Sequence, residues 1–82
     1  MHGYILSNHC KEMLVERNIK GNWVEETVTD PQKKENQEDD TVHYFKRISE
    51  YENRVLHVVV NSYKSPKIIV TAFFDRKAGR SL

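Results

Sequence analysis

A change of period near residue 40 constrains this chain more than any other feature. Before it, apolar residues recur at helical spacing. Cys10, Met13 and Leu14 fall at i, i+3 and i+4, and Val24, Thr27 and Val28 repeat that spacing. After it, the pattern alternates. Leu56, Val58 and Val60 share one parity, and so do Ile68, Val70, Ala72 and Phe74. Helices first and strands after is the sequence signature of an α+β domain.

The punctuation sets the expected boundaries. Ser7 or Asn8 is a suitable N-cap for the first helix. Arg17 suits its last turn, Asn18 can take the left-handed conformation that ends a helix, and Ile19 supplies the apolar residue that follows. A second helix is expected over Asn22–Thr29, with Glu25 and Glu26 near its positive end, stopped by Asp30-Pro31. Gln32–Asp40 has no apolar residue and reads as a mobile loop. Three strands follow, Thr41–Ser49, Arg54–Tyr63 and Lys67–Asp75, with connections short enough for antiparallel hairpins. Tyr4–Leu6 is either an edge strand or a hydrophobic staple. The expected fold is therefore two N-terminal helices packed on a three-stranded or four-stranded antiparallel sheet, in one domain spanning 1–82. The tail 76–82 is expected to fray.

The Leu56 and Ile68 rows are expected to face the helices. The other face then shows His57, Val59, Asn61 and Tyr63 beside Ile69, Thr71 and Phe73. The first strand is ambiguous: Val42, Tyr44 and Ile48 mark one face, Lys46 interrupts it, and Phe45 marks the other.

Eighty-two residues give a thin core, so any site lies in a shallow surface cleft. Residues 25–52 hold four bases and nine acids, whereas residues 53–82 hold six bases and one acid. The basic third suits an anion such as RNA, or it complements the acidic third within the fold. Cys10 is the single cysteine, which excludes an internal disulfide and a Cys-based zinc site. The longest apolar runs, Val58–Val60 and Ile68–Val70, are far too short to span a bilayer, and Met1–Ser7 lacks a signal peptide's pattern. A cytoplasmic location without a membrane partner is expected. No phosphate loop, Gly-x-Ser-x-Gly or His-Glu-x-x-His is present, and no metal or small-molecule cofactor is expected.

The polar residues that remain suit acid–base chemistry on RNA. His9, His43 and His57 are candidate acid–base groups, because imidazole titrates near neutral pH. Arg17, Lys46, Arg47 and Arg54 are candidate phosphate holders, and Tyr44 and Thr71 carry hydroxyls. Each has a plainer use. His9 can decorate a first turn, His57 can be an ordinary strand residue, and Arg17 can favour a helix's negative end. Lys46 and Arg47 point to opposite faces, so at most one lines a given site.

The segment Ser7-Asn8-His9-Cys10-Lys11-Glu12-Met13-Leu14-Val15-Glu16-Arg17-Asn18-Ile19 resembles S-x-H-A-x-x-R-M-x-E-R-G-I-S. That pattern opens a small bacterial domain family of unknown function grouped with the RelE/BrnT-like toxins of toxin–antitoxin systems. Pro31, Tyr44-Phe45-Lys46 and Val70-Thr71 match later pieces in order, so the resemblance runs from about residue 5 to 75. The Arg before the Glu-Arg pair is out of register here, Asn18 stands for Gly, and Lys20 stands for Ser. The resemblance implies a RelE-like fold and a toxin-like, metal-independent endoribonuclease with RNA as substrate and a cognate antitoxin as partner. It implies His9, Lys46 and Thr71 as the catalytic set, with Arg17 beside them; from the residue types themselves, Tyr44, Arg47, Arg54 and His57 are expected with Arg17 toward RNA phosphate. The alternative expectation is a non-catalytic module of the same fold that binds protein or nucleic acid through its basic face.

Overall fold

A computed structural model describes residues 3–82; residues 1 and 2, within the domain expected to span 1–82, lie outside the described residues. The chain runs β1 (Tyr4–Leu6), α1 (Asn8–Glu16), α2 (Gly21–Thr29), β2 (Lys33–Asn36), β3 (Thr41–Ile48), β4 (Arg54–Asn61) and β5 (Lys67–Phe74). The strands form one sheet in the order β1-β5-β4-β3-β2. β1 pairs parallel with β5, and every other pairing is antiparallel. The fold is α+β with a five-stranded mixed sheet, which corrects the expected three or four antiparallel strands.

Tyr4–Leu6 takes the edge-strand alternative, and β2 is the strand that was not expected. Tyr4–Leu6 pairs with Lys67–Ile69, and a pairing across sixty residues leaves no local signal. β2 lies within the segment expected to be a loop, 32–40. Its sequence Lys-Lys-Glu-Asn is polar on both faces, as suits an exposed edge strand. Asp39 Oδ1 closes the β2–β3 turn by accepting from the Thr41 N–H at 3.2 Å and its hydroxyl at 2.6 Å.

The first helix ends as its residues dictate. The Ser7 hydroxyl oxygen accepts from the Cys10 N–H at 3.0 Å, a side-chain cap. At the other end Asn18 is left-handed (φ 54°). The Ile19 N–H then donates to the Leu14 carbonyl and the Asn18 N–H to Val15. That is a Schellman closure, with Ile19 buried against the core that also holds Leu14. The second helix starts one residue earlier than expected, at Gly21, and buries Trp23, Val24, Thr27 and Val28.

The core lies between the helices and one sheet face. Leu56, Val58 and Val60 of β4 are fully buried there, each contributing about 1.5–3 kcal/mol of burial free energy. In β5, Ala72 is buried and Phe74 packs against the core as expected, but Ile69 replaces the expected Ile68 and Val70. Val60 pairs with Ile69 and Val59 with Thr71, so Val70 is an extra residue in the strand. This bulge shifts parity by one, which turns Ile69 inward. Ser7 sits at the bulge, its N–H donating to the Ile69 carbonyl and its hydroxyl to Val70, both at 3.0 Å.

The tail expected to fray is a short 3-10 turn at Ala78–Arg80. Among the described residues, no helix is long and apolar enough to cross a membrane.

Candidate functional site

The helices cover one face of the sheet, and the other carries the candidate site. Antiparallel partners point the same way, so strand register assigns this face row by row. One row holds Glu35, His43, Val59 and Thr71; the next holds Lys33, Phe45, His57 and Phe73. A third is set by Arg47 opposite Val55, with the Asp75 N–H donating to the Val55 carbonyl at 2.8 Å.

Four polar side chains form one continuous chain here. Asp75 Oδ2 lies 2.9 Å from His57 Nδ1. His57 Nε2 lies 2.6 Å from His43 Nδ1, and His43 Nε2 lies 3.2 Å from Thr41 Oγ1. Aromatic rings wall the middle of it: Phe45 and Phe73 stand 4.2 and 4.6 Å from the His57 ring. His57 is 8% exposed and Phe45 4%, whereas His43 is half-buried and reachable.

Burial and partners set the proton positions. Burial disfavours the His57 imidazolium more than the Asp75 hydrogen bond favours it, and the neighbouring His43 adds to the shift, so the His57 pKa falls below its ordinary 6.5. Burial also opposes the Asp75 charge. Hydrogen bonds from the Ala78 N–H and His57 outweigh it and hold the carboxyl below its ordinary 3.8. At neutral pH Asp75 is therefore ionised and His57 neutral. The Nδ1–H of His57 donates to Asp75, and its Nε2 accepts. His43 then donates through Nδ1, which leaves Nε2 as the end that exchanges a proton.

Both forms of His43 fit this geometry. When neutral, its Nε2 is left to accept from an incoming group, because the Thr41 hydroxyl proton is held by Asp39. When charged, it donates through both nitrogens, while the Thr41 hydroxyl stays bonded to Asp39 at 2.6 Å. Two carboxylates then face the imidazolium, each through one neutral bridge. An imidazole oriented by a second group that is itself anchored on a carboxylate is the arrangement general acid–base chemistry uses. Among the described residues, no group of three or more His, Cys, Asp or Glu is placed to hold a metal ion.

The sequence-expected catalytic set does not converge. Thr71 lies on the helix-free face beside Val59 and His43. Lys46 lies on the other face, opposite the fully buried Leu56, and its Nζ donates to the Asp30 carbonyl at 2.9 Å and carboxylate at 3.0 Å. It thereby closes the C-terminus of α2. His9 is exposed on α1, which packs over β5 on the helix side.

The expected phosphate holders scatter too. The Arg17 guanidinium donates to the Ala72 carbonyl at 2.9 Å, sealing the β5 edge past the end of β1. Tyr44 is buried in the core. Arg47 donates to the main-chain oxygens of Asn53, Gly79 and Leu82. Arg54 stacks on Tyr51 at 5.1 Å and pairs with Glu52 at 3.2 Å, on the exposed surface. Of the expected residues, His57, Thr71 and Arg47 share the face with His43, and the Arg47 guanidinium is taken up by main-chain oxygens. Asp75 and Thr41 were missed. The signal available was a hairpin register that sets His57 opposite Phe45, and so diagonal to His43.

Residues 6–74 match the profile of a family described as Domain of unknown function (DUF4258). The chain belongs to the DUF4258 family. The match covers α1 to the last residue of β5, so the DUF4258 domain holds Thr41, His43 and His57 and stops one residue short of Asp75. No curated protein and no solved structure matches the chain.

Proposed function

We propose that this DUF4258 domain is a toxin-like, metal-independent endoribonuclease, akin to the RelE/BrnT-like toxins, with His43 as its acid–base group. The observation that carries the proposal is the unbroken Asp75–His57–His43 chain, which ends at a reachable imidazole nitrogen.

RNA suits this site because it supplies its own nucleophile. His43 Nε2 takes the proton of the ribose 2′-OH. The 2′-oxygen then attacks the adjacent phosphorus, and the P–O5′ bond breaks. The proton passes from the imidazolium, directly or through water, to the departing 5′-oxygen. The products are a 2′,3′-cyclic phosphate and a 5′-hydroxyl. Lys33, whose Nζ lies 5.6 Å from the Phe45 ring centre, supplies a cation on the same face, and Thr71 supplies a hydroxyl. Such acid–base help contributes about 10²–10⁴-fold in rate. The basic tail residues Arg76, Lys77 and Arg80 attract the phosphate backbone.

The test is an RNA oligonucleotide in excess EDTA beside the same oligonucleotide with 2′-deoxy sugars. Cleavage of the first alone, leaving cyclic phosphate ends, supports the proposal. Cleavage of both, or of neither, rejects it. Control by a cognate antitoxin that covers the helix-free face belongs to the same proposal.

A second reading, a non-catalytic binding module, draws on exposed apolar side chains. Tyr63 is 82% exposed and Val15 81%. It requires RNA or protein binding that survives loss of the His43 imidazole.

A further inference from the structure

The C-terminal turn is bound to the candidate site from both sides. Asp75 uses one carboxylate oxygen for His57 and the other for the Ala78 N–H, at 2.9 and 3.1 Å. Its own carbonyl accepts from the Gly79 N–H at 3.3 Å. The turn needs an outside anchor, because a 3-10 turn of three residues near the end of a chain has little stability of its own. Besides its packing on β4, one side chain supplies that anchor. Arg47 crosses from β3 and donates through Nη2 to the main-chain oxygens of Gly79 at 2.7 Å and Leu82 at 3.1 Å. Its Nη1 donates to the Asn53 carbonyl at 3.0 Å, and its backbone N–H donates to Gln32 Oε1 at 2.6 Å. Both ends of Arg47 are therefore fixed. A planar fork can hold three main-chain oxygens in this way, whereas an ammonium cannot reproduce the geometry.

We infer that Arg47 is a positioning residue for His57 and His43, acting through the C-terminal turn. The path is continuous. Arg47 holds the Gly79 and Leu82 main-chain oxygens, the held turn aims the Ala78 N–H at Asp75, and the fixed carboxylate selects the Nδ1–H form of His57. That form leaves His57 Nε2 free to accept from His43, which orients the exchanging nitrogen. Free imidazole in water has no such preference imposed on it. Arg47 thus acts through the turn, Asp75, His57 and His43, and touches no substrate. This inference rests on the proposed role of His43 only where it concerns catalysis; the orienting of the imidazoles stands on its own geometry.

The experiment is nitrogen NMR of the histidine rings in the full chain at pH 8, with Arg47→Ala and Arg47→Lys beside the native protein. The native protein is expected to show His57 held as the Nδ1–H tautomer and slow exchange of the Ala78 amide. Arg47→Ala is expected to lose both, giving a mixed His57 tautomer. Arg47→Lys, which keeps the charge and the side-chain stem, is expected to be intermediate, and it answers the question if the alanine variant does not fold. Unchanged His57 nitrogen shifts in a folded variant overturn the inference. Kinetics supply a second readout: a positioning residue lowers kcat at constant KM, whereas a phosphate-binding Arg47 raises KM. A tautomer change in a protein that cleaves no RNA keeps the inference and rejects the ribonuclease. Cleavage with unchanged tautomers does the reverse.

Discussion

His43 Nδ1 and His57 Nε2 meet at 2.6 Å across two neighbouring strands, fourteen residues apart in the chain. The contact is diagonal, because the residue directly opposite His57 is Phe45. It joins a reachable imidazole to one that is nearly enclosed, and Asp75 fixes the enclosed one from the far side.

The first consequence is a pH dependence of stability. The folded-state pKa of His57 lies below its ordinary 6.5, so the unfolded chain binds this proton more readily. Stability from this residue is full above about 6.5 and is lost as the pH falls from there through the lowered folded value. Urea unfolding midpoints should therefore drop between pH 7.5 and 5. In His57→Phe, which keeps a ring between Phe45 and Phe73, that drop should shrink. The Asp75 carboxylate acts in the same direction, but only below its ordinary 3.8, so the two are separable.

Ser7 carries two bonds at once. It caps α1 through Cys10 and ties that cap to the bulge carbonyl of Val70. Ser7→Ala should cost about 1–3 kcal/mol in equilibrium unfolding, combining a lost cap with a lost partly buried hydrogen bond. An exposed cap alone sits at the low end of that range.

His9 and Lys46 should be dispensable for chemistry. Lys46 binds Asp30, whose side chain is 85% exposed, so Lys46→Met should cost no more than about 1 kcal/mol. Neither Lys46→Met nor His9→Ala should change the rate of RNA cleavage. A large loss in either would move the site to the helix side of the sheet.

Much of the fold was legible, and the limits are physical. The Leu56, Val58 and Val60 row of β4 was clear from its alternation, whereas β3 was ambiguous because Phe45 is buried on the helix-free face while Lys46 interrupts the other. Ile68-Ile69-Val70 is apolar throughout, so it hides the bulge that selects Ile69 for the core. Lys33–Asn36 has no apolar residue to alternate, so nothing in it reports a strand. Tyr4–Leu6 finds its partner sixty residues away, beyond any local pattern. The site was half legible. His43 and His57 stood out as imidazoles, but their meeting depends on register, and Asp75 reads as a strand-ending residue until the turn after it is seen. The Ser7–Ile19 resemblance drew the catalytic expectation to His9, on the opposite side of the sheet from His43.

The role of His43 is tested by RNA cleavage in EDTA by the native protein and by His43→Ala. The native protein should leave 2′,3′-cyclic phosphate ends, and the variant, folded by circular dichroism, should be about 10²–10⁴-fold slower. Intact RNA with the native protein, or equal rates for the two, would contradict that role.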